Sequence, residues 1–198
     1  EDYLRFLKSM REFNVVEPIG SLYEKYLLDK KINKKTDTEM LNVHNGRLAS
    51  TKVLVKFIAY CLINNHYHFI LKQRIDGGIS EFMKRLSGGY TKYFNEKNKR
   101  TGSLFEGTFK AVPVTNNDYL LQLSCYINGN PEIHKIAKAE NYQWSSYPDF
   151  LGKRKDTICI NKVILEQFKD IKEYKELVED VIKNSKEIKD EIRKFVDV

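Results

Sequence analysis

Apolar residues recur along this chain in two different periods, and the changes of period lay out its elements. In residues 2–13, Leu4, Phe6, Leu7 and Met10 fall three and four apart, the spacing of one helical face. Residues 53–63 are almost continuously apolar and residues 66–71 alternate, which predicts one buried strand kinked at Asn64-Asn65. Asp76-Gly77-Gly78 predicts a turn. Residues 79–95 return to helical spacing, with Ile79, Phe82, Met83, Leu86, Tyr90, Tyr93 and Phe94 on one side and Lys84, Arg85 and Lys92 on the other. Gly88-Gly89 interrupts that helix at about 1 kcal/mol per glycine, and predicts a bend or the close approach of another backbone.

Residues 104–114 predict a further strand, with Gly102 and Gly107 marking turns around Leu104-Phe105. Asn117 or Asp118 caps a predicted helix over residues 119–127 that ends near Pro131. Residues 162–198 read as a Lys/Glu-rich helical tail of one or two helices, with apolar positions at Ile164, Phe168, Ile171, Val178, Val181, Ile188, Ile192 and Phe195. Residues 14–50 are polar and weakly periodic, with a short helix over 21–28. There is no internal repeat and no low-complexity linker. Strands and helices mixed without a βαβ rhythm predict an α+β fold with an antiparallel sheet. The length of 198 residues suits one domain, or one with an appendage.

Charge sharpens this picture because of where it lies. The net charge is +7. Between Lys52 and Lys110 eleven Lys or Arg face four Asp or Glu, so that segment alone carries a surplus equal to the whole. From Lys153 onward the balance is nearly neutral, twelve against eleven. A concentrated basic zone suits a polyanion such as nucleic acid, or is simply a solvated surface. No apolar run reaches membrane-spanning length and the first residues show no signal pattern, so a cytoplasmic protein is expected. Cys61, Cys125 and Cys159 are scattered, without ligand spacing, and read as buried thiols.

The basic zone contains Asn65-His66-Tyr67-His68-Phe69, which holds two of the four histidines. On an extended segment His66 and His68 point to one face, their Cα atoms roughly 6.5–7 Å apart. Two imidazoles so placed either converge on a divalent cation or are ordinary side chains of a half-buried strand. Chemistry at a phosphodiester also needs a nucleophile, either water or a side-chain oxygen. Tyr126, within the apolar helix, is a candidate because a phosphotyrosine ester keeps the bond energy for resealing; the alternative is a core tyrosine. Asn130 lies four residues on, sharing a face with Tyr126 if the helix continues, and its carboxamide could be a third ligand; Pro131 opposes that geometry.

Together these stretches resemble the tyrosine-type transposase family that contains the insertion-sequence 200/605 enzymes, and within it the branch associated with repetitive extragenic palindromes. The resemblance rests on Ala59-Tyr60-Cys61-Leu62-Ile63-Asn64-Asn65-His66-Tyr67-His68-Phe69-Ile70-Leu71-Lys72-Gln73 and Gly89-Tyr90-Thr91-Lys92-Tyr93-Phe94-Asn95. It continues through Arg100-Thr101-Gly102-Ser103-Leu104-Phe105-Glu106-Gly107-Thr108-Phe109-Lys110, Tyr126-Ile127-Asn128-Gly129-Asn130-Pro131 and Trp144-Ser145-Ser146-Tyr147, in the family's order. It implies a ferredoxin-like antiparallel sheet with helices packed on it, whose central strand presents His66 and His68 to Mg²⁺ or Mn²⁺. It further implies that Tyr126 cleaves single-stranded DNA through a 5′-phosphotyrosine, with Asn130 in the place of the helix-borne ligand. A homodimer acting on hairpin ends is the partner arrangement implied.

The chain departs from the family in several places. Ile63-Asn64 stands where Met-Pro is usual, and Thr108 replaces an arginine common in that stretch. The family opens with a strand bearing a His and an Arg, whereas this sequence starts at the following helix, so either the sequence is clipped there or the sheet lacks that strand or has it supplied otherwise. The expected division is a catalytic domain over residues 1–152 and a helical C-terminal extension over 153–198. Arg85, Lys92, Lys99, Arg100 and Lys110 are the candidate phosphate contacts, with solvated surface as the plain alternative. Tyr90, Tyr93 and Phe94 read as core packing, Trp144 with Tyr147 as a clamp on the loop after the tyrosine helix, and His44 and His134 as surface histidines. Two readings follow: a metal-dependent tyrosine transposase, or a catalytically silent nucleic-acid-binding module of the same fold. Hydrolysis by a metal-activated water is a third.

Overall fold

The computed structural model describes residues 1–20, 22 and 52–185. The expected helix over 21–28, His44, and the apolar positions Ile188, Ile192 and Phe195 lie outside the described residues. The chain forms two compact units, one of Glu1–Val55 with Gln73–Thr108 and the other of Lys56–Lys72 with Phe109–Val198.

In the first unit, helix α1 (Asp2–Glu12) packs on helix α2 (Gly78–Lys97); of the apolar face its periodicity predicts, Phe6 and Met10 are buried but Leu4 is 62% exposed. Phe6, Met10, Phe82, Met83 and Leu86 are buried, and the Phe6 ring meets Tyr90 edge-on at 4.8 Å. The helix runs unbroken through Gly88-Gly89. A Cβ on Gly89 would stand 2.4 Å from the Phe13 ring, so the close approach is made by an aromatic side chain and not by a backbone. The turn before α2 forms as expected, with Gly77 in the left-handed region at φ 66°. Asn14 holds the entry to the first strand, donating to Val55 O and accepting from Val55 N, both at 2.9 Å.

The second unit is built on a hairpin. Strand β1 (Val55–Leu62) pairs with strand β2 (Tyr67–Gln73) in a two-stranded antiparallel sheet. The single kinked strand expected from the sequence is therefore two strands. Ile63 N donates to His66 O at 3.0 Å, and Asn64-Asn65, residues well suited to turns, make the reversal. The other edge of β1 is covered as well. Leu62 N donates to Trp144 O (2.9 Å), Ser146 N to Tyr60 O (2.8 Å) and Ile160 N to Phe57 O (2.8 Å). Trp144 and Tyr147 thus flank a segment clamped onto β1, and Tyr147 is buried.

Residues 104–114 form no strand. Gly102 and Gly107 turn the chain with φ of 88° and 74°, and Phe109 and Val114 are 38% and 37% exposed, so their apolar side chains have no sheet face to bury. Helix α3 (Asn117–Ile133) is capped by Asn116, whose Oδ1 accepts from Tyr119 N at 2.8 Å, and not by Asn117 or Asp118. It also runs past its expected end and contains Pro131. Proline removes one amide donor, but burial of the last turn and the bond from His134 N to Asn130 O (3.0 Å) hold the helix together.

The rest of the chain packs around α3. A 3₁₀ turn (Ala139–Asn141), helix α4 (Tyr147–Phe150), helix α5 (Lys162–Leu165) and helix α6 (Ile171–Lys183) complete the unit. Helix α6 lies against α3, with Tyr174, Val178 and Val181 buried. The fold is α+β with C-terminal helices, as the periodicity predicts. All three cysteines are buried free thiols, and burial pushes Cys61 and Cys125 up to about 12.

Candidate active site

The reversal at Asn64-Asn65 and the start of β2 put two imidazoles on one face: the His66 and His68 ring centres are 5.0 Å apart. Two imidazoles bound to one ion through nitrogens about 2.1 Å away hold their ring centres roughly 4.5–5.3 Å apart, a range that includes this spacing, as does an ordinary edge-to-face ring pair. Asn65 Oδ1 lies 2.8 Å from His66 Nδ1. With the carboxamide oxygen accepting, the proton sits on Nδ1 and Nε2 keeps its lone pair, which is how ligating histidines are oriented.

Helix α3 supplies the other half. The Tyr126 ring stands 6.1 Å from that of His68. Tyr126 is only 5% exposed, yet it is beside the histidines and not remote from them. One turn on, Asn130 is fully buried, and neither its Oδ1 nor its Nδ2 has a hydrogen-bond partner. An unpaired buried carboxamide is rare, because it loses about 1–3 kcal/mol of solvation that nothing replaces. Asn128 on the same helix shows what a structural amide looks like. Its Nδ2 donates to Tyr174 Oη at 2.8 Å and its Oδ1 accepts from Ser146 Oγ at 2.7 Å. The unpartnered carboxamide oxygen of Asn130 is a donor of a kind that suits a cation, and the last turn of α3, with no basic residue of its own, adds the negative end of a helix dipole.

His134, expected as a surface histidine without a partner, meets another ring. Its ring is 5.5 Å from that of His66 and half-buried. The signal was available: Tyr126, Asn130 and His134 are successive fours on one helical face. Taking Pro131 as the end of the helix hid it. Among the described residues, no three His, Cys, Asp or Glu side chains are arranged to hold a metal ion as they stand.

The basic candidates divide between the units. Lys110 is exposed and belongs to the unit that contains the histidines and Tyr126. Arg85, Lys92, Lys99 and Arg100 belong to the other. Lys92, Lys99 and Arg100 are exposed, with Arg100 donating to Ser103 O at 2.9 Å. Arg85 is engaged internally, donating to Glu81 (2.7 Å), Val15 O (2.6 Å) and Val16 O (3.3 Å). Tyr90 and Tyr93 are half-buried on α2, and Arg5 lies over the Tyr93 ring at 4.8 Å.

A family model described as "Transposase IS200 like" matches residues 25–130, more than half of the chain and a stretch that includes His66, His68, Tyr126 and Asn130. The chain belongs to the IS200-like transposase family, and its function is that of a DNA-cleaving transposase. Comparison with curated proteins and with solved structures gives no match. No helix among the described residues is long and apolar enough to cross a membrane.

Proposed function

We propose that this chain cleaves and rejoins single-stranded DNA at hairpin-forming ends through Tyr126. The observation that carries this reading is the gathering of Tyr126, His66 and His68, with the unpartnered amide of Asn130 one turn further along the tyrosine helix. His66 and His68 through ring nitrogens and Asn130 through Oδ1 would hold Mg²⁺ or Mn²⁺. When bound, the cation would polarise the scissile phosphate and favour the phenolate.

The tyrosine does the bond exchange. Tyr126 Oη attacks phosphorus, an Oη–P bond forms and the P–O3′ bond breaks. The phenol gives up a proton and the departing O3′ takes one, leaving a 5′-phosphotyrosine and a free 3′-hydroxyl. Attack by a 3′-hydroxyl on the phosphotyrosine reverses the exchange and reseals DNA. Lys110, Lys92, Lys99 and Arg100 bind backbone phosphates, and Arg85 contributes least because its donors are already used. A homodimer acting in the cytoplasm, of the branch associated with repetitive palindromes, with residues 1–152 as catalytic domain and 153–198 as extension, completes the reading.

The test is Tyr126→Phe with single-stranded hairpin DNA and Mn²⁺, resolved on a denaturing gel. Wild type should form a covalent protein–DNA adduct and the variant none, with hairpin binding retained. An adduct on the variant removes the tyrosine from the mechanism. The burial of Tyr126 favours a second reading, a catalytically silent DNA-binding module. Salt-dependent hairpin binding by wild type with no adduct under any divalent metal selects it.

A further inference from the structure

We propose that His134 is a third imidazole of the metal centre, and that it moves the centre's preference away from magnesium toward nitrogen-preferring ions such as cobalt(II) and zinc(II). The inference rests on the reading above, in which His66, His68 and Asn130 form that centre. Three observations carry it. The His134 ring stands 5.5 Å from the His66 ring, close to the spacing of imidazoles on one ion. It lies on the face of α3 that carries Tyr126 and Asn130, one turn beyond the buried amide that has no partner. As the C-cap residue of α3, it places its ring at the negative end of the helix, where a cation is favoured.

His134 lies four residues beyond the stretch that matches the family. The rings do not converge on a point as they stand, and ligation takes a change of rotamer at His134. The residue is half-buried at the end of the helix and followed by Lys135, which is exposed. The chemical consequence follows from ligand preference. Magnesium takes oxygen ligands and gives up water reluctantly, whereas imidazole suits the later divalent transition ions. Two imidazoles and an amide oxygen leave magnesium competitive; a third imidazole does not.

The experiment is metal binding by the full chain without DNA, comparing wild type, His134→Ala, His134→Asn and His66→Ala. Cobalt(II) binding is followed by its visible absorption, which reports the number of nitrogen ligands, and zinc(II) and magnesium by calorimetry. Circular dichroism identifies any variant that fails to fold, and His134→Asn, which keeps a residue suited to the helix end, serves if His134→Ala is lost. Both His134 variants should bind cobalt and zinc at least about tenfold more weakly, with an altered cobalt spectrum and magnesium affinity unchanged. If His66→Ala abolishes binding while the His134 variants match wild type in affinity and spectrum, His134 is not a ligand and the centre itself stands. If His66→Ala also binds like wild type, the centre on which the proposal rests is refuted.

Discussion

Asn130→Leu is a substitution expected to stabilise the protein while removing its chemistry. Leucine has the same number of side-chain heavy atoms and the same branch point as asparagine, so it fills the site without a cavity. What it removes is a fully buried carboxamide whose oxygen and nitrogen both lack partners. Such a group opposes folding by about 1–3 kcal/mol, and the bulkier methyls give back part of that, leaving a net gain of about 1 kcal/mol. Trp144, the one tryptophan, packs against the core of this unit and reports its unfolding by fluorescence. For a urea slope of about 1–3 kcal/mol per molar, the midpoint in EDTA should rise by roughly 0.3–1 M. Saturating Mn²⁺ reverses the order, because wild type at a hundred times its Kd gains about 2.7 kcal/mol and the variant gains nothing. A variant less stable than wild type in EDTA by more than about 1 kcal/mol would refute the reasoning, since the amide would then be supporting the fold.

Three further outcomes are expected. Gly78→Ala should destabilise by about 1–3 kcal/mol in a thermal melt, because its Cβ would stand 2.5 Å from the backbone oxygen of Leu54; Gly88→Ala, with nothing within 4 Å, should instead stabilise by up to about 1 kcal/mol. Tyr174→Phe removes the partner of Asn128 Nδ2 in a buried site and should lower stability by about 1–3 kcal/mol in urea, with unchanged binding of hairpin DNA. The Glu132 carboxyl is held below its ordinary range by the bond from Lys138, with desolvation opposing, the amide of Ala139 and the Lys138 charge helping. Its folded value being depressed, its contribution is present above the ordinary carboxylate range and fades as pH falls through the lower, folded value. Glu132→Gln should therefore flatten the pH dependence of stability below about pH 4.3 and leave it unaltered at neutrality.

Much of the site was legible because it depends on local spacing. Period two puts His66 and His68 on one side of the chain whether the segment is one strand or the start of the second strand of a hairpin, so mistaking the fold there did not misplace the histidines. The four-residue step from Tyr126 to Asn130 likewise needs only a continuous helix. The misreadings came where a local preference met a tertiary one. Pro131 disfavours helix in the residue before it, but a buried last turn outweighs that preference, and carrying the helix onward is what brings His134 toward His66. The apolar residues of 104–114 promised a strand, but the chain there makes turns at Gly102 and Gly107 and pairs with neither strand.

By itself the sequence determined the helical face of α2, the α+β class, the buried thiols, and the order of motifs that marks an IS200-like transposase. These follow from covalent periodicity and residue chemistry, which act over a few positions. Only the tertiary structure decided that the tyrosine helix stands beside the histidine hairpin, that Asn128 is bonded while Asn130 is not, and that a third histidine joins the group. Those outcomes depend on which surfaces bury each other across tens of residues, and spacing along the chain carries no record of that.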